Sequence, residues 1–213
     1  EVRTEKQCKN RNIFETHFHA DFVSGHLTLS RATGAPIVFG PHANPDFDSI
    51  IAKDGQEFSL GDITIVAIHT PGHTMESTTY LLRDNENKDI AIFSGDTLFL
   101  GDVGRPDLAQ KLENITQYDL AGMLYDSLRN KIMPLSDEVM VYPAHGAGSA
   151  CGKKMMKKTI DTLGNQKKMN YALRQNMTRA EFIKEVTDGI LPPPKYFPYN
   201  VKMNKSGYDD IEK

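Results

Sequence analysis

The sequence has only two cysteines, no signal-peptide pattern, no apolar run of membrane length and no excess of basic residues. A net charge of −3 offers no basic surface of the kind that binds phosphate backbones, so we expect no nucleic-acid partner. We likewise expect no membrane span. Because Cys8 and Cys151 lie far apart and no secretion signal is apparent, we expect a reducing, cytoplasmic location. The 213 residues are 39% apolar, which is enough for the core of one catalytic domain.

A cluster of metal-ligand residues stands near the start of the chain. His17, His19 and Asp21 directly follow a strand-like run at residues 12–16. Two imidazoles spaced i, i+2 at a strand end converge on one ion only where the chain leaves the pleat, and the small Ala20 suits a bend there. The cluster therefore predicts a metal site that takes its remaining ligands from elsewhere in the chain.

Candidate partners occur at the ends of three later strands. His73, Asp96 and His145 each lie in a Gly-containing turn that follows a run rich in Val and Ile. The three strands are predicted at residues 63–68, 90–93 and 139–141. Ligands delivered by separate strand ends would form a site on a rigid scaffold, with loops above it free to shape a substrate pocket.

The helices are predicted from caps and apolar stripes. Ser24 is a candidate N-cap for a helix that reaches about Arg31 and is closed by Gly34. A long helix is predicted at residues 116–133, with an N-terminal cap at its start, and another follows Thr178.

The ligand set alone does not decide which metal the site binds. Two histidines and one carboxylate leave vacant positions on an octahedral ion, which suits mononuclear non-haem Fe(II) and oxygen chemistry. Zinc is the main competitor, and two-metal hydrolases need a second ligand set about 3.5 to 4 Å away. Phe22 cannot ligate and would crowd the place of a second ion, so one metal is favoured.

The motifs resemble those of the metallo-β-lactamase superfamily across residues 12–150. The motifs that carry this resemblance are His17-Phe18-His19-Ala20-Asp21, Gly72-His73, Gly95-Asp96 and Ala144-His145-Gly146. Residues 16–26, 70–74 and 101–107 are similar to the persulfide dioxygenase (sulfur dioxygenase) family. The resemblance implies an α/β (α+β) protein with an αββα sandwich. Only sixteen residues precede His17, so we expect part of the N-terminal sheet to be missing from this chain.

The same resemblance implies an activity and a role for each site residue. One Fe(II) per chain would serve to oxidise a low-molecular-weight thiol persulfide, such as glutathione persulfide, with O2 to sulfite and free thiol. The implied metal ligands are His17, His73 and Asp96. The implied catalytic residues around them are His19, Asp21 and His145. The implied substrate-binding residues are Arg105 and Asp107, for which a structural ion pair is an equal alternative.

Two alternatives to the oxygenase stay open. A zinc-dependent thioester hydrolase of the glyoxalase II type would share all six histidines and aspartates but would want His at position 22. A metal-binding scaffold without catalytic activity has no physical need for so many buried ionisable groups. Cys151, six residues after His145, is a tempting acceptor thiol, although an inert buried cysteine is the more frequent case.

The domain organisation is predicted from composition and resemblance. Residues 1–191 are assigned to the catalytic domain, and residues 192–213, which begin with three prolines, to a C-terminal tail or linker. This segment resembles the exit toward a rhodanese domain in bacterial fusion members of the family. By analogy alone, a homodimer is a further expectation.

Overall fold

Two β-sheets form the centre of the molecule in a computed structural model that describes residues 11–108 and 115–209. The first sheet is parallel, with strands in chain order: β1 Ile13–Phe14, β2 Ile37–Phe39 and β3 Ile50–Ile51. The second sheet is also in chain order: β4 Glu57–Leu60, β5 Ile63–His69, β6 Thr78–Arg83, β7 Asp89–Gly95, β8 Met140–Pro143 and β9 Asp161–Thr162. Adjacent strands of this sheet run antiparallel, except for β7 and β8, which run parallel to each other.

Five α-helices accompany the sheets in the described part of the chain. They are α1 His26–Thr33, α2 Gln117–Ser127, α3 Leu163–Met169, α4 Arg179–Thr187 and α5 Phe197–Ser206. A π-helical turn, Leu128–Ile132, continues α2, and a short 3₁₀ turn, Tyr171–Leu173, follows α3. None of these helices combines the length and the apolar character that crossing a membrane requires.

The two sheets pack face to face. Val38 of β2 and the neighbouring Ala52 share a buried cluster with Ala67 of β5 and Tyr80 of β6. Side chains alternate along a strand, so the residues on either side of Val38 must point the other way. Ile37 and Phe39 accordingly pack toward α1.

The outer face of the second sheet is covered by helices. Leu81 of β6 and Ile92 of β7 lie in one buried cluster with Leu124 of α2 and Phe182 of α4. Together with α1 on the first sheet, this gives four layers in the order helix, sheet, sheet, helix. The predicted αββα sandwich is confirmed.

Helix caps account for several element boundaries. Thr116 and Thr178 both form the predicted N-terminal caps, each as a reciprocal capping box with the acidic residue three positions later. Gly34 closes α1 in the left-handed conformation, as predicted. The predicted cap at Ser24 is wrong, because α1 starts after Gly25 with no side-chain cap, and the Ser24 N–H donates instead to Asn204.

The C-terminal segment has regular structure within the described residues. Residues 197–206 form α5, and its Phe197 is buried against Ala20 and Phe99. The helix thus packs on the loop that carries the first ligand cluster. The domain boundary after residue 191 stays a prediction.

Candidate metal centre

The loop between β1 and α1 delivers the first three side chains of the site. His17 and His19 are buried, and their ring centroids lie 4.2 Å apart. His17 Nδ1 is within hydrogen-bond distance of Thr16 Oγ1, at 2.9 Å, which leaves its Nε2 on the side of Asp96. Asp21 follows at the edge of the same loop, with its side chain 21% exposed.

The other three side chains come from turns that follow β5, β7 and β8. His73 and Asp96 are buried, whereas His145 keeps a small exposed fraction. Asp96 comes directly after Gly95, the last residue of β7, which has a φ of 54°. A side chain at Gly95 would also clash, since a Cβ there would lie 2.7 Å from Thr16 Oγ1. The glycine therefore brings Asp96 close to the loop that carries His17.

Three of the histidines converge on the carboxylate of Asp96. The Oδ2 atom of Asp96 lies 3.3 Å from His73 Nε2 and 3.9 Å from His17 Nε2, and Oδ1 lies 3.3 Å from His145 Nε2. Ligand atoms of His17, His73 and Asp96 all lie within 4.8 Å of one another. The structure therefore brings the three predicted metal ligands together.

The other three predicted residues form a second group beside the first. Ligand atoms of His19, Asp21 and His145 also lie within 4.8 Å of one another. The Asp21 carboxylate is 3.5 Å from His145 Nδ1 and 3.9 Å from His19 Nδ1. This arrangement can orient the imidazole of His145, and it also resembles a second set of metal ligands.

The segment at residues 103–105 fixes the orientation of His73. His73 Nδ1 lies 2.8 Å from the carbonyl oxygen of Arg105, which can only accept, so Nδ1 carries the proton and Nε2 presents its lone pair to the site. Gly104 allows this close approach. A Cβ at Gly104 would lie 2.2 Å from the backbone oxygen of Asp96 and 2.9 Å from His73 Nδ1.

Burial keeps the histidines neutral and disfavours the charge of Asp96. Desolvation lowers the pKa of His73 to about 4 and that of His19 to about 3, and it lowers the pKa of His17 well below the usual range. Burial, with the nearby charge of Asp21, raises the pKa of Asp96 well above its usual range. Neutral imidazoles are the form that binds metals, while Asp96 would release a proton on binding.

Unpaired polar atoms show that these residues fit a cation. In the described part of the chain, His145 Nε2 and His19 Nδ1 are buried without a hydrogen-bond partner, and the buried carboxylate oxygens of Asp96 have none beyond the weak thiol donor of Cys151. Leaving such atoms unpaired is costly. A metal ion held by His17, His73 and Asp96 would satisfy the carboxylate of Asp96, and this set of two imidazoles and one carboxylate suits Fe(II) or Zn(II).

Phe22 borders the second group of ligands. Its ring is stacked on His19 at a centroid distance of 4.4 Å and stands edge-on to His145 at 6.3 Å, with 44% of the residue exposed. An apolar ring therefore occupies the position next to His19, Asp21 and His145 where a further ligand would have to stand.

Arg105 and Asp107 form a bidentate ion pair with each other. Arg105 Nε and Nη2 donate to the two carboxylate oxygens of Asp107 at 2.7 and 2.8 Å. Further N–H groups of Arg105 donate to the carbonyl oxygens of Ala150 and Leu191. These contacts favour a structural role for the pair, and direct contact of Arg105 or Asp107 with substrate stays a prediction.

Cys151 lies closer to the site than sequence reasoning indicated. Its Sγ, a carboxylate oxygen of Asp96 and a ring nitrogen of His145 lie within 4.8 Å of one another. Burial raises the pKa of the thiol, so it is protonated at neutral pH. The only sequence signal for this proximity was the short spacing after His145.

Solved structures share this fold. A metallo-β-lactamase from Staphylococcus aureus subsp. aureus COL superposes with a TM-score of 0.83 at 31% identity, covering 93% of this chain and 59% of that one. ETHE1 from Myxococcus xanthus superposes with a TM-score of 0.76 at 27% identity, covering 94% and 78% of the two chains. The fold is that of the metallo-β-lactamase superfamily. No family model matches the sequence.

Sequence relatives support the same superfamily but differ in activity. Human mitochondrial persulfide dioxygenase ETHE1 is 28% identical over 190 residues, which cover 89% of this chain and 66% of that protein. Hydroxyacylglutathione hydrolase from Methylococcus capsulatus is 38% identical over 97 residues, which cover 44% of this chain and 36% of that protein. The chain thus spans less than two thirds of either relative. The comparisons therefore support the metallo-β-lactamase fold with a metal-binding site, and the reaction belongs to the proposal below.

Proposed function

We propose that this chain is a mononuclear iron persulfide dioxygenase, which oxidises a low-molecular-weight thiol persulfide with O2 to sulfite and free thiol. The observation that carries the proposal is the buried convergence of His17, His73 and Asp96, with the ring of Phe22 beside the neighbouring ligand group. Two histidines and one carboxylate with open positions are typical of non-haem Fe(II) oxygenases. The persulfide dioxygenase relatives support the same reaction.

The residues of the chain position the metal and manage protons. A ferrous ion held by His17, His73 and Asp96 would supply the redox chemistry with O2. One persulfide, one O2 and one water give one thiol and one sulfurous acid, which releases its protons near neutral pH. His145 Nε2 is buried with no hydrogen-bond partner in the described residues, and its other ring nitrogen faces the carboxylate of Asp21. We assign the proton-accepting role to this His145 and Asp21 pair.

The persulfide would have to reach the site from the exposed side. Phe22 and the partly exposed Asp21 lie at that side, whereas His73 and Asp96 lie deeper. The apolar ring of Phe22 would limit access of water to the His19 side of the site. The natural thiol is proposed only as a class, glutathione persulfide or a similar small persulfide. A fused rhodanese domain and a homodimer stay predictions.

The second candidate is a zinc-dependent thioester hydrolase of the glyoxalase II type. It is favoured by the second ligand group, His19, Asp21 and His145, which lies beside the first. The hydroxyacylglutathione hydrolase relative supports it as well. Such a hydrolase would use two metal ions to activate water. The stacked ring of Phe22 opposes the second ion, and we therefore place this function second.

Activity assays with two substrates separate the candidates. The iron-loaded protein should consume O2 and form sulfite when glutathione persulfide is added, and it should leave lactoylglutathione unchanged. His73→Ala serves as the matched inactive control, because it removes one ligand and should abolish O2 uptake. Hydrolysis of lactoylglutathione without O2 uptake would reject the oxygenase.

The variant Phe22→His tests the reason for placing the hydrolase second. The new imidazole would stand beside His19 and His145, where it could complete a second ion site. We expect zinc binding to rise from one to two ions per chain, measured by titration under metal-free starting conditions. An unchanged stoichiometry in the variant, or two ions in the wild type, would show that Phe22 does not set the number of metals.

A further inference from the structure

The loop that carries His17, His19 and Asp21 lacks regular secondary structure. Residues 15–25, between β1 and α1, are neither helix nor strand. Buried backbone N–H and C=O groups in such a segment need partners from elsewhere in the molecule. The positions of the ligand His17 and of His19 and Asp21 beside it therefore depend on which groups bind this backbone.

Asn204 of α5 binds the backbone of this loop at three points. Its Nδ2 donates to the carbonyl oxygens of His19 and Phe22, and its Oδ1 accepts from the N–H of Ser24, each at 2.8 Å. The residue is 1% exposed. Both N–H groups and the oxygen of the amide are thus used, and the three bonds fix its orientation.

Two more side chains of the C-terminal segment bind the same loop. Asn200 Nδ2 donates to the carbonyl oxygen of Ala20 at 2.9 Å. The hydroxyl of Tyr208 donates to the carbonyl oxygen of Ser24 and accepts from the N–H of Leu27. Side chains within residues 200–208 therefore bind the loop at positions from His19 into the start of α1.

The helix α5 also has anchors that do not involve the ligand loop. Ser206 Oγ donates to the carboxylate of Asp46 at 2.6 Å, and the carbonyl oxygen of Lys205 accepts from the N–H of Asp46 at 2.9 Å. These contacts hold the helix to a different segment of the protein. They make it feasible to weaken the docking of α5 without changing the bonds to His19, Ala20, Phe22 and Ser24.

We propose that Asn204 is a positioning residue of the metal centre, so that the C-terminal helix sets the geometry of the ligand loop. The inference rests on the proposed metal site but not on which reaction the metal serves. Metal ligands must lie within about 0.2 Å of their preferred distances, and side chains that support ligands change metal affinity by about 10- to 100-fold when mutated. Asn204 binds the backbone carbonyl of His19, two residues after the ligand His17, and so acts on the loop and not on the imidazole of a ligand.

The decisive variant is Asn204→Asp, which keeps the shape but replaces the NH2 group by an acceptor. An oxygen would then face the carbonyl oxygens of His19 and Phe22, so the loop should shift. We expect the affinity for Co(II), measured against a competing chelator, to fall about 10- to 100-fold. The visible absorption spectrum of the Co(II)-loaded protein should change as well, because it reports ligand geometry directly.

Matched variants separate positioning from general stability. Asn200→Ala removes one bond to the loop and should weaken Co(II) binding in the same direction but less. Ser206→Ala removes an anchor of the same helix outside the loop, and it should leave the Co(II) affinity and spectrum unchanged. Thermal melts of each variant show that binding is measured on folded protein.

Two results would overturn the proposal. The first is that Asn204→Asp melts at a lower temperature yet binds Co(II) with wild-type affinity and spectrum, which would make Asn204 a structural residue only. If Asn204→Asp does not fold, Asn200→Ala decides, and wild-type Co(II) binding by that variant would also overturn it. Absence of O2 uptake with intact Co(II) effects would reject the dioxygenase and leave this inference standing.

Discussion

Replacing Asp96 by Asn should make the metal-free protein more stable and the metal-loaded protein less stable than the wild type. The Asp96 side chain is 0% exposed. In the described residues neither carboxylate oxygen accepts a hydrogen bond from an N–H or O–H group. The Nε2 atoms of His73 and His145 are each 3.3 Å from a carboxylate oxygen. Asparagine has the same shape without the charge, so it removes the cost of burying a carboxylate.

The expected magnitudes are large enough to measure. An unsatisfied buried polar group costs about 1–3 kcal/mol, and we expect Asp96→Asn to recover a free energy of unfolding in this range without metal. At a metal concentration of about 1,000 times Kd, the wild type should gain about 4.1 kcal/mol, which exceeds that range, and the variant should gain almost none. Each kcal/mol corresponds to about 2–4 °C in Tm for a domain of this size. The order of the two melting temperatures should therefore invert when metal is added.

The pH dependence follows from the raised pKa of Asp96. A raised pKa in the folded state means that this group favours folding at low pH, and the contribution is lost as the pH rises from about 4 through the folded pKa. The histidines titrate in both proteins and largely cancel in the comparison. The stability gap between metal-free Asp96→Asn and wild type should therefore be small near pH 4 and grow toward pH 7.

Circular dichroism melts with chelator and with excess Co(II) test this prediction. Wild type with chelator should melt below Asp96→Asn, and wild type with Co(II) should melt above it. The reasoning is refuted if the variant melts below the wild type without metal at pH 7, or if Co(II) raises its Tm as much as that of the wild type.

Three other variants test separate parts of the structure. Gly104→Ala would place a Cβ 2.2 Å from the backbone oxygen of Asp96, so we expect loss of Co(II) binding in a titration, and wild-type binding would contradict the tight packing. Arg105→Ala leaves the carboxylate of Asp107 without its main partner, and we expect the free energy of unfolding to fall by about 3 kcal/mol or more in denaturant titrations. If Arg105→Ala instead keeps wild-type stability and only raises KM, the result would indicate that Arg105 contacts the substrate directly. Thr178→Ala removes the N-cap of α4 and should cost about 1 kcal/mol without changing Co(II) affinity, and a change in affinity would show that the cap acts on the site.

Local sequence patterns were sufficient to predict the strand ends at which the candidate ligands lie. His17, His73 and Asp96 each follow an apolar run, and strand ends are where side chains can leave a sheet toward a common point. Capping residues such as Thr116 and Thr178 were also recognisable, because their hydrogen bonds are made within four residues. These caps depend only on near neighbours in the chain and were predicted correctly, whereas the cap at Ser24 was not.

Contacts between distant parts of the chain could not be predicted. Asn204 binds Ser24 across 180 residues, and Ser24 was assigned to the cap of α1 because a serine before an apolar run is a typical local signal. The partner of Arg105 at Leu191 is 86 residues away, which left its structural role undecided in the sequence. The nearness of Cys151 to Asp96 likewise depends on how the loops fold together.

The metal content of protein purified under anaerobic conditions tests the central claim most directly. Elemental analysis of such protein, combined with O2 uptake on glutathione persulfide, should give one iron per chain and one O2 consumed per sulfite formed. Two zinc ions per chain, with thioester hydrolysis and no O2 uptake, would contradict the account.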